Sequence, residues 1–232
     1  MKLLYTIILT ICIGSFHYAQ AQEVLLDETV FQDSVKGKWG QNLSNWMHFY
    51  GAFGFITPIN QNTNSPIYFG KASNWELGLR YKKRLTNWLA IGANISYDFY
   101  NYRMEQSKDK TLPDSLFYDK QKIVLNTFSM QPFLRINYGR RGNKIGNYID
   151  FGFFYNAVFS NAEKQKGTPS GLDKVKKKNL QYIAGDYYGF YTNIGFGRFV
   201  IYGKYNYSPI IKGNPSYSDL PPITIGLQVG FF

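Results

Sequence analysis

From Leu89 to Phe99 the side chains alternate without interruption: Leu89, Ile91, Ala93, Ile95, Tyr97 and Phe99 fall on one side, Ala90, Gly92, Asn94, Ser96 and Asp98 on the other. Period two means a β-strand whose two faces meet different surroundings, because successive Cβ atoms point in opposite directions. The same grammar recurs along the chain. Trp75, Leu77, Leu79 and Tyr81 oppose Glu76, Gly78 and Arg80, and an earlier strand at about 46–56 carries Met47, Phe49, Phe53 and Phe55 on one face. Later strands are expected at about 123–138, 149–159, 182–196 and 199–207. The last, from Ile223 to Phe232, sets Ile223, Ile225, Leu227, Val229 and Phe231 against Thr224, Gly226, Gln228 and Gly230. Pro132 falls inside the fourth strand, where it removes a ladder donor, so a bulge is expected there.

Two architectures share this pattern. A soluble sandwich turns the apolar face inward; a transmembrane barrel turns it toward lipid. Three features favour the barrel. A bare apolar final strand would be an aggregation-prone edge, and ring closure removes it. The connections sort by length: long near 57–73, 104–121, 160–179 and 208–222, short near 82–88, 139–147 and 195–198. Strict alternation of long and short puts both ends of about eight strands on the short-turn side. Finally, aromatic residues make up 19% of the chain, with 20 Tyr, while mean hydropathy is only -0.30. Tyr and Trp suit a membrane interface, and strands with half their residues inward look only mildly apolar. The expected fold is an all-β transmembrane antiparallel up-and-down β-barrel with short periplasmic turns and long extracellular loops.

The start of the chain reads as an export signal: Lys2, an apolar run from Leu3 to Ile13, then Ala19-Gln20-Ala21 as cleavage site. The run is too short for a spanning helix. Cys12 is the only cysteine and lies inside it, with Ile11 where a lipid-attachment site wants a small residue, so the mature chain is expected to carry no thiol. The expected organisation is a signal peptide at 1–21, a periplasmic lead-in at 22–45 and a barrel at 46–232, located in the outer membrane. A formal net charge of +11 invites a nucleic-acid reading. The basic residues fall in the connections, however, so lipid headgroup phosphates, including those of lipopolysaccharide, are the expected counterpart and nucleic acid is not.

By parity the interior holds Glu76, Arg80, Asp98, Arg135, Asp150 and Lys204, three acids against three bases. About eight strands enclose just enough space for side chains, and buried charges must be paired. A sealing ion network is the first reading; a narrow proton or ion path is the second. Inward Gly78, Gly92 and Gly152 would leave room for the long Arg and Lys side chains. His48 is the one histidine beyond the signal and is expected to point inward near the short turns. It is either an interior hydrogen-bonded residue or a lone general base. With no second His and no Cys, no metal site, cofactor or catalytic set is expected. The third long connection carries Lys164, Lys166, Lys174, Lys176, Lys177 and Lys178, either a solvated flexible loop or a grip on lipid phosphates or an acidic partner.

The export signal, the strand-turn-strand from Trp75 to Gly92 (WELGLRYKKRLTNWLAIG) and the closing Gly226-Leu227-Gln228-Val229-Gly230-Phe231-Phe232 resemble the small outer-membrane β-barrel proteins of Bacteroidota called PorT-like. The resemblance implies insertion by the barrel-assembly machinery, and some relatives serve type IX protein secretion. It carries over no catalytic motif. The expected function is a non-enzymatic structural or partner-docking component of the envelope, accessory to secretion in one version, with an unidentified protein partner. The alternatives are a lipid-directed enzyme using His48 and a narrow channel.

Overall fold

Each alternating segment is a strand. The computed structural model describes residues 37–59, 66–108, 110, 112, 114–139, 142–167, 173–212 and 219–232. The expected signal peptide at 1–21, Cys12 and most of the lead-in at 22–45 lie outside the described residues. The strands are β1 (Asn45–Ile56), β2 (Ser73–Arg84), β3 (Leu89–Arg103), β4 (Lys120–Tyr138), β5 (Asn147–Lys166), β6 (Lys174–Lys178), β7 (Asp186–Phe196), β8 (Phe199–Asn206) and β9 (Ile223–Phe231). No helix occurs among the described residues.

All neighbours pair antiparallel in the order β4-β3-β2-β1-β9-β8-β7-β5-β6, and β4 also pairs with β5. The sheet therefore closes into a barrel-like, up-and-down ring, with β6 attached only to the far end of β5. The closing strand is not an edge: β9 lies against β1 from Phe49↔Phe231 to Ile56↔Thr224. The tightest turn is Phe196-Gly197-Arg198-Phe199. Gly197 has a positive φ of 62° while Arg198 does not, the geometry of a type II′ hairpin, which matches the strand twist.

The two faces are sorted inside-out relative to a soluble core. Outward Leu77, Ile95 and Leu227 are 65%, 63% and 63% exposed, whereas inward Arg80, Asp98 and Asp150 are 0% exposed. Toward the long-connection rim the interior turns apolar. Inward Ile56, Tyr100, Tyr102, Leu125, Phe154 and Tyr187 pack with Ile67, Met104, Leu112, Ile183, Ile211 and Leu220 from the connections. Bridges Ile67↔Met104 and Ile183↔Ile211 tie these connections over the ring. At the opposite rim, residues 37–44 lie against the short turns, where Arg84 Nη1 donates to Asn42 O at 2.6 Å and Lys82 Nζ to Gln41 O at 2.7 Å.

One carboxylate clasps the described ends of the fourth long connection, in addition to the bridge at Ile211. Asp219 Oδ1 accepts the backbone N–H groups of Ile210 at 3.0 Å, Ile211 at 3.1 Å and Leu220 at 2.9 Å. Replacing Asp219 by Ala leaves those donors without this acceptor, a loss of about 1.5–3 kcal/mol for bonds to a charged group. Limited proteolysis of the variant is expected to cut within 207–222 at least several-fold faster than in the wild type while the rest of the ring stays protected; unchanged cutting would mean this clasp does not hold the connection.

Three expectations are corrected. The third connection is not a loop from 160 to 179, because β5 continues to Lys166 and β6 occupies Lys174–Lys178. The bulge is not at Pro132. Asn126 pairs with Ser160 and Thr127 with Val158, so the extra residue is Phe159. Pro132 stays in register opposite Ala93, and the β4–β5 ladder resumes its frame at Phe133↔Gly152. A missing N–H deletes a bond without inserting a residue. The sixth expected strand starts at Asp186 rather than near 182; Tyr182 lies in a turn.

Candidate functional site

Glu76 on β2 and Asp98 on β3 are direct cross-strand partners, two acids that would repel. Lys204 from β8 reaches across the lumen to both: its Nζ lies 2.5 Å from Glu76 Oε2 and 3.1 Å from Asp98 Oδ2. The remaining acceptor positions are filled. Tyr50 Oη donates to Glu76 Oε1 at 2.5 Å, Gln131 Nε2 to the same oxygen at 2.9 Å, and Ser96 Oγ to Asp98 Oδ1 at 2.7 Å.

A second cluster lies toward the short-turn rim. Arg135 and Asp150 face each other across β4 and β5 in a bidentate pair at 2.7 and 2.9 Å. Asn193 Nδ2 donates to Asp150 Oδ2 at 3.2 Å, and Arg80 Nη1 approaches the same oxygen at 4.0 Å. The Arg135 guanidinium also stacks on the Tyr148 ring, 3.5 Å from its centroid.

The two clusters are complementary in charge: one cation against two anions above, two cations against one anion below. Side-chain amides join them. Arg80 Nε donates to Asn94 Oδ1 at 2.8 Å, Asn94 Nδ2 to Gln131 Oε1 at 3.1 Å, and Gln131 to Glu76. The structure thus brings all six sequence-predicted interior residues into one network of hydrogen bonds and ion pairs, the Arg80–Asp150 approach at 4.0 Å being the link between its two halves. Every strong acid and base in it has a partner of opposite charge, the condition for tolerating burial.

Sequence reasoning missed Tyr50, Asn94, Gln131 and Tyr148 as members, although their inward parity was a usable signal. It also misassigned the glycines. Gly78 lies beneath the ring of Tyr50, Gly92 beneath Phe133 and Gly152 beneath Tyr191, so the space serves aromatic rings rather than Arg or Lys chains. A Cβ at any of these positions would collide with the ring above it.

His48 is buried near the short-turn rim, its ring 6.0 Å from that of Trp46 and 5.0 Å from that of Phe232. Its Nδ1 has no hydrogen-bond partner among the described residues. A general base requires a group that orients it and a nucleophile within reach; this imidazole instead packs between aromatic rings. Among the described residues no set of three or more His, Cys, Asp and Glu side chains could hold a metal ion.

The predicted lysines lie on paired strands that rise beyond the ring. Lys122 faces Lys164, which faces Lys176; Lys120 faces Lys166, which faces Lys174. Lys177 lies opposite Glu163 and Lys178 opposite Ala162. Lys164, Lys166, Lys174, Lys176 and Lys178 lie on the face of the sheet opposite the buried network, Lys177 on the same face as Glu163, and all six are at a different height from the network. No family model matches the chain, and no curated protein matches it significantly.

Proposed function

We propose that this chain is an outer-membrane β-barrel that spans the bilayer once as a closed ring and acts as a structural or partner-docking component of the cell envelope, without enzymatic chemistry. One observation carries the reading: along the band of the ring apolar side chains cover the outside while Glu76, Arg80, Asp98, Arg135, Asp150 and Lys204 are buried within it. In water that arrangement forfeits the hydrophobic effect; in hydrocarbon it is the stable one. The ladder closure between β1 and β9 supports the same reading, since no open edge can face lipid.

Aromatic side chains add to it. Trp88, Tyr138, Phe196, Phe199 and Phe231 are exposed near the short-turn rim, and Trp75, Phe69, Phe159 and Tyr207 near the other. Two such girdles suit the two interfaces of a membrane. On this reading the short turns face the periplasm, the N-terminal segment is the export signal, the barrel-assembly machinery inserts the chain, and lipopolysaccharide surrounds the outer rim. A PorT-like role in support of secretion is the form of partner docking that the sequence resemblance favours.

A channel is the weaker reading, because paired side chains and the apolar cluster near the long-connection rim occupy the lumen. Catalysis by His48 is weaker still, since the ring is enclosed by Trp46 and Phe232.

The test is extraction and refolding. The signal-free chain is expected to need detergent or lipid for dispersion and to migrate differently on electrophoresis before and after boiling. A chain that stays monodisperse in plain buffer would overturn the proposal.

A further inference from the structure

Beyond the apolar band, the outer face of β3 to β6 carries two rows of cations. One row, read across the ladders, is Arg103, Lys122, Lys164 and Lys176; the next is Lys120, Lys166 and Lys174. Directly opposed side chains have Cβ atoms about 4.5–5.5 Å apart, and like charges so placed destabilise a sheet. None of these seven residues is in an ion pair among the described residues. Glu163 and Asp114 are engaged elsewhere, while Asp119, whose carboxylate lies beside Gly167, and Asp173 border the second row without an ion pair to it among the described residues. Glu163 Oε1 accepts Gln121 Nε2 at 2.8 Å and Gln165 Nε2 at 2.5 Å, and Asp114 lies 3.6 Å from Lys110 Nζ. The lysines line an open groove of about 450 Å³.

We infer that this double cationic row binds the clustered phosphates of a multiply phosphorylated lipid headgroup in the outer leaflet. The inference rests on the membrane reading above and adds a site and a ligand class to it. Continuity along the strands selects a lipid over a soluble polyanion. On the same face, below the lysines, Tyr97, Phe128 and Phe159 form an exposed aromatic trio with centroids 4.7 to 6.3 Å apart. Next comes Asn126, which accepts the Tyr97 hydroxyl at 2.7 Å. Ring, amide and, beyond the buried pair Val124 and Ala162, ammonium thus succeed one another in the order of acyl chain, interface and phosphate. Arg103 lies four residues above Phe99, about 13 Å along a strand and roughly 10 Å in height at barrel tilt. Lysine stems that bend toward the interface take up part of that height, with their methylenes on apolar surface, and the headgroup layer, about 5–7 Å thick in each leaflet, takes up the rest.

The test uses the full chain folded in phosphatidylcholine vesicles, with vesicle flotation and heat-shifted migration read first. Three probes are compared: bisphosphorylated lipid A, the same lipid after enzymatic dephosphorylation, and inositol hexakisphosphate. Lipid A is expected to be retained over its dephosphorylated form, with affinity falling as salt rises. The combined Lys122→Gln, Lys164→Gln and Lys176→Gln variant is expected to lose roughly a hundredfold in affinity, given about tenfold or less per lysine near a charged surface. The corresponding triple Arg variant should restore it. If the Gln variant does not float, Lys120→Gln, Lys166→Gln and Lys174→Gln are assayed in its place. Equal retention of both lipids, or full retention by the neutralised variants, overturns the inference. Inositol hexakisphosphate binding as tightly as lipid A overturns the lipid as the source of the phosphates. A wild-type chain that does not float overturns the membrane reading and this inference with it; one that floats without lipid preference overturns only this inference.

Discussion

Replacing Lys204 by methionine will destabilise the folded ring by about 3–5 kcal/mol, the cost of leaving buried charges without their partner. The expectation follows from geometry. Glu76 and Asp98 are neighbours across β2 and β3, both buried, and the Lys204 ammonium is the single cation within ion-pair distance of either among the described residues. Without it, two carboxylates face each other in a lumen otherwise filled by side chains. Neutralising them as well, in the Lys204→Met, Glu76→Gln, Asp98→Asn variant, should recover most of the loss, since removing a whole buried ion set is far cheaper than breaking it. Urea titration of the vesicle-folded protein, followed by tryptophan fluorescence, measures both. A loss under about 0.5 kcal/mol for the single variant, the range of ordinary surface substitutions, would mean that water reaches these acids. The channel reading would then replace the sealed one.

An arginine in place of Leu77 is the second decisive substitution. Leu77 points outward, is 65% exposed, and pairs with Gly51 on β1 and Tyr97 on β3, near the middle of the apolar band. In water such a change on an exposed strand face alters stability by no more than about 0.5 kcal/mol. Facing the bilayer midplane, it costs about 2–4 kcal/mol. The same substitution at exposed Trp88, on the short-turn rim, should cost about 0–1 kcal/mol, because the penalty fades toward the interface. A depth-dependent difference between the two sites in vesicle-folded protein would support lipid contact. Equal, small effects would show that this face meets water.

The sequence carried the strands wherever the two faces differ in polarity. Leu89 to Phe99 is legible because apolar and polar residues alternate strictly, and parity alone assigned Glu76, Arg80, Asp98, Arg135, Asp150 and Lys204 to the interior. The signal fails where the contrast disappears. Beyond the apolar band both faces of β5 are polar from Ser160 through Lys166 except at Ala162, so a strand looks like a lysine-rich loop. The β6 strand, Lys174 to Lys178, is four lysines and a valine and has no period to read. The bulge at Phe159 was hidden for a different reason: an apolar residue inserted after Val158, where the apolar stretch gives way to Ser160 and Asn161, has no composition that marks it, whereas Pro132 draws attention and stays in register. The connections that cover the apolar cluster could not be foreseen either, because the contact of Ile183 with Ile211 depends on how two separate loops fold over the rim.

The pairing of β1 with β9 has a consequence for how such a chain comes into being. The seam that completes the structure joins the most distant strands in the polypeptide, so no nascent stretch short of Ile223 can satisfy its own outer ladders. Until that segment has left the ribosome, β1 has no second neighbour, and the growing polypeptide has every incentive to pair with the wrong strand. Closure of the ring is therefore a late event, possible only once the whole stretch from Asn45 to Phe231 has been made.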